Sequence, residues 1–144
     1  MAKIKRSYFL AKTDPETYSI DQLERDRRTV WDGVKNPQAL QAIREMRPGD
    51  RVFIYHSMGD SQIVGLADVV SEPRPDPKHP ETDKLTVVDL EFVTRLDPPV
   101  TLREIKAGRL FEDWSLVRQS RLSTMHAPDA FAEWMRKKFP KAKI

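Results

Sequence analysis

Residues 51–70 read Arg-Val-Phe-Ile-Tyr-His-Ser-Met-Gly-Asp-Ser-Gln-Ile-Val-Gly-Leu-Ala-Asp-Val-Val, and they decide the class of fold. Val52, Phe53, Ile54 and Tyr55 make a mostly buried strand over residues 51–56. Met58-Gly59-Asp60-Ser61 is a turn, and residues 62–70 resume as a second strand, so the pair reads as a hairpin. Two strands in succession, with no helix between them, break the regular alternation that a doubly wound sheet requires. The reading is therefore α+β, with a mixed and strongly curved sheet of five or six strands and short helices packed around it.

Upstream of the hairpin, Tyr8-Phe9-Leu10-Ala11 reads as a first strand stopped by Asp14-Pro15. Residues 19–26 read as a short helix with Ser19 as its cap and Ile20 and Leu23 inward. Asn36-Pro37 opens another: Asn36 caps, Pro37 fits the first turn, and Leu40, Ile43 and Met46 line one face. Pro48-Gly49-Asp50 ends that helix. Downstream, residues 72–83 hold four of the eleven prolines and read as a long loop. Residues 84–96 alternate as a long strand that Pro98-Pro99 breaks. Thr101 with Glu104 makes a capping box, residues 121–124 read as a short return strand, and residues 128–139 form a final helix with Phe131, Trp134 and Met135 as its apolar stripe. The run from Trp114 to Arg118 reads as core.

Composition narrows the function classes. The 144 residues suit one domain, and 39% apolar with 33% charged residues is a folded rather than a disordered composition. No apolar run approaches a membrane span, and the basic start, residues 1–7, carries no cleavage site of a secretory signal. Cysteine is absent, so the fold has no disulfide, thiolate metal site or thiol nucleophile, which suits a reducing cytoplasm. Net charge is +3, too weak for a dedicated DNA-coating protein, so any nucleic-acid contact is local. His56, His79 and His126 make no metal motif, and no cofactor is expected.

Four segments place polar or aromatic side chains at element ends, where scaffolds display sites. They are Lys12-Thr13-Asp14-Pro15, Trp31-Asp32-Gly33-Val34-Lys35-Asn36, Tyr55-His56-Ser57 and Arg121-Leu122-Ser123. Trp31 reads equally as a core plug or as a stacking platform for a base. Gly33 permits close backbone approach to a flat ligand. Asp32 reads as stabilising the turn, and Asn36 as a helix cap before a ligand contact.

Taken in order, Tyr8 to Pro15, Trp31 to Asn36, Gly49 to Ser57, Gly65 to Val69 and Arg121 to Ser123 resemble the EVE domain family of the PUA-like superfamily. The departures are Phe9 for tryptophan, Thr13-Asp14 for Ser-Glu, Lys35 for arginine, and Thr124-Met125-His126 where the family often continues Val-x-Pro. The resemblance implies a PUA-like pseudo-barrel. It also implies non-catalytic binding of a modified nucleobase, cytosine or adenine, in DNA or RNA or as the free nucleoside, by analogy with YTH and SRA domains. On this reading Trp31, Tyr55, Ser57 and Arg121 border one concavity. His56 or Ser57 meets a base edge, Arg121 and Ser123 share a strand face with Leu122 inward, and Lys12 and Lys35 contact phosphates at the rim. The rival implication is an amidohydrolase acting on modified nucleosides, as in ASCH relatives, with Lys12, Thr13 and Asp14 as the residue types. Adjacent strand residues point opposite ways, so Lys12 is poorly placed to activate Thr13. No membrane partner is expected, and a monomer is the expected state.

Overall fold

The computed structural model describes residues 6–59 and 61–144. Among these residues seven strands and five helices follow one another as β1 (Tyr8–Thr13), α1 (Ile20–Asp26), β2 (Arg28–Trp31), α2 (Pro37–Arg44), β3 (Arg51–His56), β4 (Gln62–Val69), β5 (Arg74–Pro75), β6 (Thr86–Thr101), α3 (Leu102–Ala107), α4 (Ser115–Arg118), β7 (Thr124–Ala127) and α5 (Asp129–Lys138). The sheet runs β2-β6-β4-β3-β1-β7, with β5 beside β6. Among the described residues only β1 and β3 pair in parallel, so the sheet is mixed, as read from the sequence. It is open, with β2 and β7 at its two ends.

The buried run in β3 has a direct cause. Phe53 and Tyr55 enter one core, with Tyr8, Leu10, Leu66, Phe131 and Met135. Val52 and Ile54 enter a second, with Phe9, Ala11, Ile20, Leu23, Ile43 and Trp31. A strand covered on both faces loses the polar half of its alternation. Gly65 sets how closely α1 approaches β4, because a Cβ there would lie 2.5 Å from Ile20 Cδ1 and 3.0 Å from the Thr94 carbonyl. The three expected N-caps form, but the capping box expected at Thr101 is only half made, because the Glu104 carboxylate pairs with Lys138. Ser19 accepts from Gln22 N–H, Asn36 from Gln38 and Ala39 N–H, and Thr101 from Glu104 N–H.

Four expectations need correction. Pro98-Pro99 does not end β6, which runs on to Thr101. Opposite Val64, the pairing jumps from Gly65↔Arg95 to Ile63↔Val100, so the prolines sit in a bulge that needs no ladder N–H. The return strand is β7, starting at Thr124, and residues 121–123 lead into it as turn and coil. The loop at 72–83 contains the two residues of β5. β2 is a strand that the sequence reading left unassigned. The basic start at residues 1–5 and Asp60 of the hairpin turn lie outside the described residues. Among those described, no helix is long and apolar enough to cross a membrane.

A candidate base-binding cavity at the ends of β1 and β2

Where β1 ends, the chain turns through residues 14–18 into α1, and β2 returns beside it on the sheet's open side. Thr13 Oγ1 donates to the Tyr18 carbonyl at 2.8 Å, and the Asp14 carboxylate accepts from Glu16 N–H at 2.9 Å, so this turn is held by its own side chains. The Tyr18 ring meets Trp31 edge-on, with centroids 6.3 Å apart at 83°. Beyond Trp31, Gly33 takes φ +81°, a left-handed backbone that favours glycine. The result is a cavity of about 480 Å³, within the range of small-molecule sites. Lys12, Asp14, Tyr18, Trp31, Asp32 and Lys35 are among its lining residues, and Ser123 adds the opposite wall.

Lys12 ties the two walls together. Its backbone N–H donates to the Ser123 carbonyl at 2.7 Å, and its ammonium donates to the Ser120 carbonyl at 2.9 Å. The same ammonium lies 5.4 Å from the Tyr55 ring centroid. Burial pulls Lys12 below the ordinary lysine pKa, and it pushes the Tyr55 phenol up. Thr13 and Lys12 thus bond to different carbonyls and not to each other, an arrangement without a nucleophile–base pair.

Of the residues singled out in the sequence, Trp31, Lys12, Lys35 and Ser123 line this cavity, and Tyr55, His56, Ser57, Asn36 and Arg121 do not. Tyr55 is buried beneath Lys12. His56 turns the other way, and its Nε2 accepts the first amide of α1, Ile20 N–H, at 3.1 Å. Desolvation lowers its pKa from the usual 6.5, Asp21 and Arg95 acting in opposite senses beside it. Ser57 is exposed and donates its N–H to the Thr13 carbonyl at 3.0 Å, fixing the end of β1. Asn36 caps α2. Arg121 is exposed on the turn between α4 and β7. These five hold or flank the walls.

The sequence reading missed Tyr18, Thr29 and the lining role of Asp32. The Asp32 carboxylate, beside Trp31, also takes the ammonium of Lys78 at 3.1 Å. The β-branched pair Thr29-Val30 before Trp31 is a faint signal for β2, and no local signal pairs positions 32 and 78. A larger hollow, about 730 Å³, lies between α2, residues 109–115 and β7, and none of the nine singled-out residues lines it. There Trp114 packs 4.5 Å from Phe131, and its indole N–H donates to the His126 carbonyl at 2.7 Å. Among the described residues no group of three His, Asp or Glu is placed to hold a metal ion.

Residues 7–138 match the family model described as EVE domain. Thymocyte nuclear protein 1 of Gallus gallus is 32% identical over 76% of this chain and 55% of its own length. The chain therefore spans about half the length of the curated relatives it matches. A hypothetical protein from Leishmania major superposes with a TM-score of 0.85 at 30% identity, covering 95% of this chain and 98% of that one. Human THYN1 protein, in complex with 5-methylcytosine-containing DNA, superposes with a TM-score of 0.83 at 26% identity, covering 92% and 96%.

Proposed function

The chain belongs to the EVE domain family, and from that membership we propose that it binds a modified base, of the modified-cytosine class, turned out of a DNA strand into the cavity beside Trp31. The observation that carries this is one hollow holding a Trp31–Tyr18 corner, a part-buried ammonium and two carboxylates. An aromatic wall accepts the face of any base, and the polar groups sort bases by their edges. The human relative in complex with 5-methylcytosine-containing DNA supports the choice of ligand.

The energetics are of the right size. Turning out a base costs a few kcal/mol. One stack contributes ~1–3 kcal/mol, and edge hydrogen bonds supply the remainder. Ser123 faces the base edge from the second wall, and Lys12 does so from below. Lys35 and Arg121 meet phosphates at the rim, where few contacts give a shallow salt dependence.

Titrating oligonucleotides that differ at one cytosine, methylated or not, as DNA and as RNA, tests the proposal. Tighter binding of the methylated DNA strand is the expected result. Equal affinity for methylated and plain strands would exclude base reading. Salt-independent binding of the free nucleoside would replace the strand as ligand, and a new nucleoside product seen by mass spectrometry would replace binding by hydrolysis.

A further inference from the structure

Lys78 stands on the proline-rich segment after β5, and its backbone is held firmly. Asp76, buried, accepts Lys78 N–H at 2.9 Å through its carboxylate and His79 N–H at 3.1 Å through its carbonyl. Asp76 N–H in turn donates to the Leu85 carbonyl at 2.8 Å. Arg74 anchors the near end, with Asp89 at 2.9 Å and Ser71 Oγ at 3.2 Å. From this fixed base the Lys78 side chain, 76% exposed, reaches the cavity-lining Asp32, 46 positions earlier in the chain. The other carboxylate in the cavity, Asp14, is engaged by Glu16 N–H. Among the described residues Asp32 is bonded only by a cation whose exposed ion pair adds little to stability and breaks at little cost.

An acceptor of that kind distinguishes bases. Cytosine and its 5-methyl derivative present an exocyclic amine, a donor. Thymine carries the same 5-methyl group and presents a carbonyl oxygen in the amine's place. A carboxylate bonds the first and repels the second. We infer that Asp32 reads the exocyclic amine of the bound base, and that Lys78 is its exchangeable counter-ion. Lys78 neutralises Asp32 in the free protein and passes to a phosphate of the strand when the amine arrives. The inference rests on the base-binding proposal and adds to it the residue that selects the base and a cation that couples selection to the backbone. Lysine, with a point charge on a flexible stem, suits such an exchange.

Single-stranded oligonucleotides identical except for 5-methylcytosine or thymine at one position test it, titrated over a range of salt concentrations with variants first shown to melt as the parent does. The parent should prefer 5-methylcytosine at least tenfold. Asp32→Asn, whose amide offers donor and acceptor alike, should bring the ratio to within about twofold of unity. Lys78→Met should keep the preference while making the salt slope for the 5-methylcytosine strand shallower by ~0.7, one phosphate contact. Lys78→Arg should restore that slope. An Asp32→Asn protein that keeps the parent's preference overturns the inference, as does an unchanged slope in Lys78→Met. A parent that binds neither strand overturns the base-binding proposal, and this inference with it.

Discussion

Trp31 and Trp114 are each 7% exposed, and each borders a hollow, yet their surroundings differ. Trp114 is saturated. Phe111 and Phe131 pack on it, and its N–H reaches the His126 carbonyl. Trp31 has one ring neighbour, Tyr18, and among the described residues no acceptor meets its indole N–H. Equal burial therefore does not mean equal role. An aromatic whose contacts are complete holds the fold, and one whose contacts are incomplete has capacity left for a ligand.

Truncation separates the two most strongly. Trp114→Ala should cost about 3–5 kcal/mol of stability, as for other large core deletions, read from urea unfolding, and the protein that remains folded should discriminate bases as the parent does. Trp31→Ala should instead lower the preference for a modified strand. Removing a stack of ~1–3 kcal/mol corresponds to about 5- to 150-fold in affinity. If Trp31→Ala destabilised the fold as much as Trp114→Ala and left the preference intact, the contrast would collapse.

A smaller effect sharpens the boundary between wall and pocket. His56 accepts the Ile20 amide through Nε2 and so must stay neutral there, consistent with its lowered pKa. The unfolded chain then binds a proton at higher pH than the folded one. His56 stabilises fully above its ordinary pKa of 6.5, and that contribution is lost as pH falls from there towards the folded value. The stability gap between the parent and His56→Gln should therefore narrow from pH 8 to pH 5. A gap independent of pH would mean that the imidazole does not sense its proton in the fold.

The smallest effect belongs to the saturated side. Thr124, 1% exposed, borders the larger hollow, and among the described residues its Oγ1 meets no hydrogen-bond partner. Thr124→Val keeps the shape and removes the orphaned hydroxyl, so stability should rise by up to about 1 kcal/mol. A drop in melting temperature would show that the hydroxyl is bonded after all.

The elements legible in the sequence were those specified locally. The β3–β4 hairpin follows from apolar runs on either side of a turn, and α1, α2 and α3 follow from the caps Ser19, Asn36 and Thr101. β2 escaped because four residues with Arg28 and Val30 exposed carry little apolar signal, and its partner β6 lies some sixty positions on. β6 was cut short because proline forbids a ladder bond only where one is needed, and the bulge opposite Val64 needs none. The cavity was half legible. Trp31, Lys12, Lys35 and Ser123 were named, while His56 was claimed by a helix start 36 positions earlier in the chain. Asp32 was read as a turn residue because its ion-pair partner lies in a distant loop.

β1 pairs on one side with β3 and on the other with β7, whose first residue lies more than a hundred positions later. During synthesis six of the seven strands are complete while β1 still presents a bare edge, an open template for another chain. The same late segment brings Ser120 and Ser123, the carbonyls that hold Lys12. A nascent chain stopped short of them has an open β1 edge and lacks the carbonyls that hold Lys12. Closure between segments so far apart in the chain is also slow to find, so the pairing that covers the β1 edge is a late step of folding.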